Sequence, residues 1–364
     1  MLPFTSWSNP WRRTLGLAGR PPIKKSKGGA LDRPSICLGW NARERIMEND
    51  KTILQNKQVF VGAIEVRYSN LNGEREGSGA PRYDAATGIG QITDVCIKRK
   101  IREALHILYN LPLYVDNDRA LNTKMLDAAR ACGALDEVLA GQKALDVGED
   151  PAKVEKAQLD LVANAVKKDP ELFNRIFQNM LETYPDLRAF GGVLAKLNRS
   201  ILGPVQIAMA QSVSPIEIMT LTITRKAIAT EEKYYDDGAN TMLGEKVVVP
   251  YGLYIFKGEI SAVEAANTAF TEEDKEGFFN AMKYMFSFDK AAARSDVTLR
   301  CLYNFDCGSR LALDAPTWKL WEALEVKPVQ DVQDGIRPPR SYEDYTVTLR
   351  EENIPACVTV NKIL

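Results

Sequence analysis

The chain has 364 residues, with 47 Lys and Arg against 48 Asp and Glu, and a single histidine. Near-neutrality excludes a basic coat over the whole surface, and no window of about eighteen apolar residues exists to span a membrane. One histidine leaves a Ser-His-Asp or Cys-His mechanism a single possible base, His106, which falls on the face of a predicted helix.

Charge is unevenly spread. Residues 1–46 hold nine Lys/Arg, two Asp/Glu and three of the five tryptophans, with no helical or strand periodicity. They read as a poorly ordered extension ahead of a domain spanning 47–364; a basic arm that touches RNA is the alternative. The rest of the chain is then acidic by about eight charges, so a nucleic-acid surface there must be a local groove. The six cysteines form no CxxC pair, and none has a histidine at zinc-ligand spacing. A reduced, cytoplasmic protein without a metal or other cofactor is the simplest expectation.

The first strand signal is Lys57–Ser69, KQVFVGAIEVRYS. A long glycine-punctuated loop follows and ends in a helix near Tyr109. Ile97, Ile101, Leu105 and Leu108 recur at helical spacing and form its core stripe. Lys98, Arg102 and His106 form a second stripe flanked by Arg99 and Lys100, a solvated cationic face suited to a polyanion. Thr93 or Asp94 caps the N-terminus. Gly88 and Gly90 just before it allow a tight turn and close backbone approach to a ligand. No Gly-Lys-Ser/Thr triplet follows them, so the nucleotide-binding P-loop is not matched.

From about 120 to 190 the pattern is a helical insertion. Asp150-Pro151 and Asp169-Pro170 each read as an N-cap followed by proline at the first helical position. Gly203–Ser212 and Ile218–Ile228 read as strands. A polar excursion over about 229–249 is a predicted β-hairpin or thumb, and Val247–Gly258 resumes the sheet. Thr271 caps a helix with three acidic residues in its first turn. Phe278, Phe279, Met282, Met285 and Phe286 form its apolar face. Val297–Phe305 is a further strand and Pro316–Leu324 a short helix. This order predicts an α+β fold, a sheet covered by helices on one face, compatible with a ferredoxin-like, RNA-recognition-motif type core. The aromatic signature of such RNA readers is not evident.

The segments GSGAPRYDAATGIGQITDVCIKRKIR, DLRAFGGVL, GPVQIAMAQSVSPIEIMTLTITRKA, VPYGLYIFKG and FDKAAARSDVTLRCLYNF occur in this order between Gln58 and Phe305. Together they resemble the backbone subunit of type I CRISPR Cascade complexes, the Cas seven family in its Csd/Csh branch, with subtype I-C the nearest. The resemblance implies a hand-shaped, RNA-recognition-motif-like fold, not itself an enzyme. Copies of it polymerise along one CRISPR RNA and, with other Cascade subunits, present the guide for pairing with target DNA. It implies RNA contact by Lys98, Arg99 and Arg102, by backbone groups at Gly88 and Gly90, by Thr224, Arg225 and Lys226 at the edge of the thumb, and by Arg294 in AAAR. Two departures stand out. Asn70-Leu71-Asn72-Gly73-Glu74 replaces the Asn-Pro-Asn-Gly-Asp run of many relatives, and Ser295–Cys301 lacks glycines often found there. The rival reading is a metal-dependent RNA endonuclease of the related type III kind, with Asp84 or Asp94 as its loop carboxylate. The acidic thumb, with Glu231, Glu232, Asp236 and Asp237, is expected to meet a neighbouring subunit rather than RNA.

Overall fold

In a computed structural model the described residues are 52–74, 79–140, 150–225 and 242–364. The expected N-terminal extension, the tip of the expected thumb and Lys226 lie outside them. Strand β1 (Gln58–Ser69) opens the fold, followed by β2 (Ile89–Ile92) and helix α1 (Asp94–Tyr109). The Thr93 hydroxyl accepts from Cys96 N at the start of α1, and Asn110 closes its end in the left-handed region.

The helical insertion comprises α2 (Leu121–Ala131), α3 (Ala134–Ala140), α4 (Pro151–Lys168), α5 (Pro170–Thr183) and α6 (Pro185–Phe190), then the hairpin β3 (Gly191–Leu194) and β4 (Arg199–Leu202). It carries its own core, in which Met125, Leu159, Val162, Ile176 and Met180 are buried. Both Asp-Pro starts form as expected: Asp150 accepts from Ala152 N, and Asp169 from Glu171 N and Leu172 N. Each carboxylate satisfies helix N–H groups that have no intrahelical partner, and the following proline has no N–H to leave unpaired.

The chain then returns to the sheet through β5 (Val205–Ile207), β6 (Ala210–Pro215), β7 (Met219–Arg225) and the 19-residue β8 (Met242–Ile260). Helices α7 (Ala262–Thr268) and α8 (Glu272–Phe288) and strand β9 (Asp296–Asp306) follow, then α9 (Thr317–Glu322), β10 (Leu324–Pro328), α10 (Gln330–Gln333), β11 (Tyr345–Leu349) and β12 (Thr359–Lys362). The stretch expected as one strand over Gly203–Ser212 is two, both paired to β8.

The main sheet runs β12-β9-β1-β8-β6-β2, with β5 and β7 also on β8, and the pairings are antiparallel. Taking β1, β6, β8 and β9 as the first to fourth core strands, α1 leads from the first to the second and α8 from the third to the fourth. Their spatial order is fourth, first, third, second. Beyond residue 249, β8 pairs with β1; before it, β8 pairs with β7 as a two-stranded ribbon.

An antiparallel sheet commonly leaves one face wet and alternates accordingly. Strand β1 instead reads VFVGAIEV without clean alternation and is buried along nearly its whole length. Phe60, Ile64 and Val66 meet Ile97 and Ile101 of α1 and Phe278 and Met282 of α8. The alternate residues Val59, Val61 and Ala63 meet Leu320, Ala323, Leu324 and Tyr345 from the C-terminal segment. The expectation of cover on one face alone is thereby corrected. The C-terminal residues fill the second face, because a sheet whose two sides are both apolar must bury both. Among the described residues no helix is long and apolar enough to cross a membrane.

Close packing across β1 depends on Gly62. A Cβ there would sit 2.6 Å from the Phe256 ring and 2.7 Å from the Cys301 carbonyl oxygen. Backbone on that side cannot yield without breaking the β1–β9 ladder. Gly62→Ala is expected to lower stability by about 1–3 kcal/mol through overpacking, seen as an earlier denaturant midpoint with unchanged slope.

Candidate nucleic-acid interface

Four segments meet where β1 ends. Asn70 N donates to Ala293 O at 2.6 Å, and the Asn70 side-chain amide donates to Gly79 O at 2.5 Å and Val247 O at 3.1 Å. Asp296 N donates to the Ser69 hydroxyl at 3.1 Å. The Thr93 hydroxyl donates to Asn72 Oδ1 at 3.3 Å, and the Cys96 thiol to Leu71 O at 3.3 Å. One residue run, 69–72, therefore gathers the glycine-rich loop, the start of α1, the 289–296 turn and the base of the β7–β8 ribbon. The altered Asn70–Glu74 run is part of this hub. Gly73 bridges Pro81, and the loop closes through a Gly79 N–H to Glu74 O bond of 2.9 Å.

The cations of α1 do not form one solvated face. Arg102 Nε donates to Asp186 Oδ2 at 3.0 Å, and its guanidinium lies 4.7 Å from the centroid of Phe190. Asp186, fully buried, also accepts from Tyr114 N at 2.7 Å and Val115 N at 3.0 Å. Arg102 thus ties α1 to the helical insertion. Lys98 pairs with Asp94 at 3.1 Å, beside the same ring. Lys100, only 5% exposed, bonds Asp289 at 2.8 Å. Arg99 is the outward one, its side chain 61% exposed and paired with Glu103 at 2.8 Å. The reason is angular: residues 98 and 102 each follow a core residue, 97 or 101, by one helical step, where α6 packs.

Arg294 meets both oxygens of Asp289 at 3.0 Å. The Asp289 carboxylate therefore binds Arg294 and Lys100 together, and Lys100 also lies 3.6 Å from Glu103. Lys290 beside it is exposed, and Lys246 at the ribbon base is half-buried. Neither forms an ion pair among the described residues, and both were missed in the sequence. Lys290 stands in the FDKAAAR segment, the one available signal. Thr224 and Arg225 pair with Leu243 and Met242 on the ribbon.

The glycine loop does not offer its expected N–H groups. Gly88, at φ +73°, donates to Asp84 O at 2.8 Å, and Gly90 N donates to the Ser212 hydroxyl at 2.8 Å. A Cβ on Gly90 would lie 2.7 Å from the Tyr254 hydroxyl oxygen, so this glycine seats the loop on the sheet. Asp84 accepts from Ala86 N and the Thr87 hydroxyl, and these bonds hold its carboxyl below the usual range. Asp94 is held by Lys98. Among the described residues no three His, Cys, Asp or Glu side chains converge as metal ligands. His106 Nδ1 donates to Leu111 O at 2.8 Å at the end of α1.

The fold and this hub define an α+β protein with an antiparallel sheet, a protruding ribbon and a cationic junction at their meeting point. The sequence pattern of the family described as CRISPR-associated protein Cas7 matches residues 56–350, and the chain belongs to that family. A structure titled "CRISPR RNA-guided surveillance complex, pre-nicking" is similar over 68% of this chain and 78% of its own, at 14% identity and a TM-score of 0.43. Another, titled "CRISPR RNA-guided surveillance complex", covers 68% of each chain at 13% identity and a TM-score of 0.36. None of the curated proteins matches the chain.

Removing one partner of a buried ion pair leaves the other charged and undersolvated, at a cost of roughly 3–5 kcal/mol. Arg102→Ala is therefore expected to destabilise the fold by an amount of that order, measured by chemical denaturation, whereas Arg99→Ala shifts the midpoint little.

Proposed function

We propose that the chain is a non-catalytic backbone subunit of a type I-C Cascade complex, polymerising along CRISPR RNA through phosphate and sugar contacts and presenting the guide for pairing with DNA. Membership of the Cas7 family over residues 56–350 carries this reading. The strand order supports an RNA-recognition-motif-like core. A subunit that coats any guide must leave the pairing edges of the bases exposed and grip the backbone. Cover on both faces of β1 agrees with that need, since the central strand offers no open face on which bases could be laid and read.

Phosphate charge is assigned to Arg99, Arg294, Lys290, Lys246, Arg225 and Lys226, while Arg102 ties α1 to the helical insertion and Lys98 pairs with Asp94 within α1. Met219, Leu221 and Ile223 project from one side of β7 and are all exposed, which fits contact between the ribbon and a neighbouring subunit. A head-to-tail contact of that kind that does not close builds a helical filament.

Co-expression with a CRISPR array and the partner subunits is expected to yield a chain carrying RNA whose sequences map to the array. Recovery without RNA, or with RNA of unselected sequence, rejects the reading. Combined Arg99→Glu and Lys290→Glu is expected to flatten the plot of log affinity against log salt by about 1.4, from roughly 0.7 per single-strand phosphate contact. An unchanged slope refutes the assignment of these two cations.

A further inference from the structure

Tyr68 adopts φ +40°, in a region that bulky side chains rarely enter, and it is 58% exposed. Its neighbours impose this backbone. Arg67 is paired across both ladders, to Tyr251 and to Asp296. Ser69 pairs with Val249 and takes the Asp296 N–H on its hydroxyl, and Asn70 N reaches Ala293 O. The one residue between these anchors is forced out of the strand conformation. Glycine would occupy the position without steric cost.

Folding does not account for the tyrosine there. Among the described residues its ring enters no aromatic or cation–π contact and its hydroxyl no hydrogen bond, unlike the packed rings of Phe60 and Phe278. Strain at an exposed aromatic, held by an over-determined frame, points to use by a ligand. The position selects which ligand. Tyr68 lies beside the 289–296 turn that carries Lys290 and Arg294, the cations at the end of β1.

We infer that Tyr68 is an RNA-binding residue whose ring stacks on a base or ribose of the bound single strand while the adjacent cations hold its phosphates. The inference rests on the RNA-coating reading above and deepens it. Stacking suits a subunit indifferent to sequence, because every base has a π face and no hydrogen-bond pattern is read. It also supplies affinity that salt does not screen, unlike the phosphate contacts.

Binding of a fluorescein-labelled single-stranded RNA to the full chain, measured over a range of salt, tests this with Tyr68→Gly and Tyr68→Phe. Tyr68→Gly is expected to bind about tenfold more weakly, with an unchanged salt slope and an unfolding temperature at or above that of the parent. Tyr68→Phe is expected to bind like the parent. In RNA carrying 2-aminopurine, fluorescence should be quenched on binding to the parent and to the phenylalanine variant, and not to the glycine variant. Equal RNA affinity in parent and Tyr68→Gly overturns the inference alone, as does a glycine variant that keeps RNA affinity but loses assembly, which assigns the ring to a protein contact. A phenylalanine variant as weak as the glycine one also overturns it. Failure of the parent to bind RNA overturns it together with the reading it rests on.

Discussion

Burial of β1 on both faces is the constraint from which the rest of the molecule follows. Helices α1 and α8 press Phe60, Ile64 and Val66 from one side, and the C-terminal segment presses Val59, Val61 and Ala63 from the other. Five large or β-branched side chains, with Ala63 between them, removed from water along one strand contribute on the order of 10 kcal/mol of transfer free energy before entropy is counted. A strand so enclosed has no free face, which leaves its ends for contact with other molecules. The end of β1 is where backbone N–H and carbonyl groups leave the ladder and need partners elsewhere. Asn70, with its main-chain N–H and its side-chain amide, ties three other segments to that point.

Ion pairs divide the cations of α1 into those that build and those left available. Asp186 and Asp289 are both buried, and a buried carboxylate must be paired and hydrogen-bonded to remain charged. Asp186 takes Arg102 and two backbone N–H groups; Asp289 takes Lys100 and Arg294. The two sites differ in consequence. At Asp186 a single cation is neutralised and sealed beside Phe190. At Asp289 two cations share one carboxylate, Lys100 also reaches Glu103 at 3.6 Å, and exposed Lys290 on the same turn has no ion pair among the described residues. On the proposed reading, a phosphate approaching the end of β1 would meet exposed Lys290 without displacing a structural bond at Arg102.

The local structure was legible wherever one residue type has one dominant physical reason to be where it is. Asp150-Pro151, Asp169-Pro170 and Thr271 marked helix starts that the structure reproduces, and the aromatic and methionine face of α8 is core as its spacing implied. Long-range partners were not legible. Arg102 and Asp186 are 84 positions apart, and nothing in either local pattern couples them. The same holds for the C-terminal cover: its strands are short and partly polar, and only the double apolar character of β1 hinted that a second layer was required. Gly88 and Gly90 read in the sequence as places where a ligand approaches the backbone; in the fold the groups that approach them are Pro215 and Tyr254 of the protein itself. Sequence alone does not distinguish a glycine that admits a ligand from one that admits a neighbouring strand.

Strand β8 supplies the mechanical link between these regions. Its first residues pair only with β7 in the ribbon, and from Val249 onward it runs along β1 as a core strand. A ribbon of two strands is marginal by itself in water, but one continuous with the central sheet inherits that sheet's rigidity at its base. The crossing from one regime to the other falls at Val247–Val249, where Asn70 caps Val247 O and Ser69 pairs with Val249. Tyr68 and the Asp289 cluster sit at the same level of the molecule. Any load on the ribbon is therefore transmitted through its base into the end of β1. On the proposed reading, assembly and guide binding would act through this one junction, and each would stabilise the geometry that the other requires.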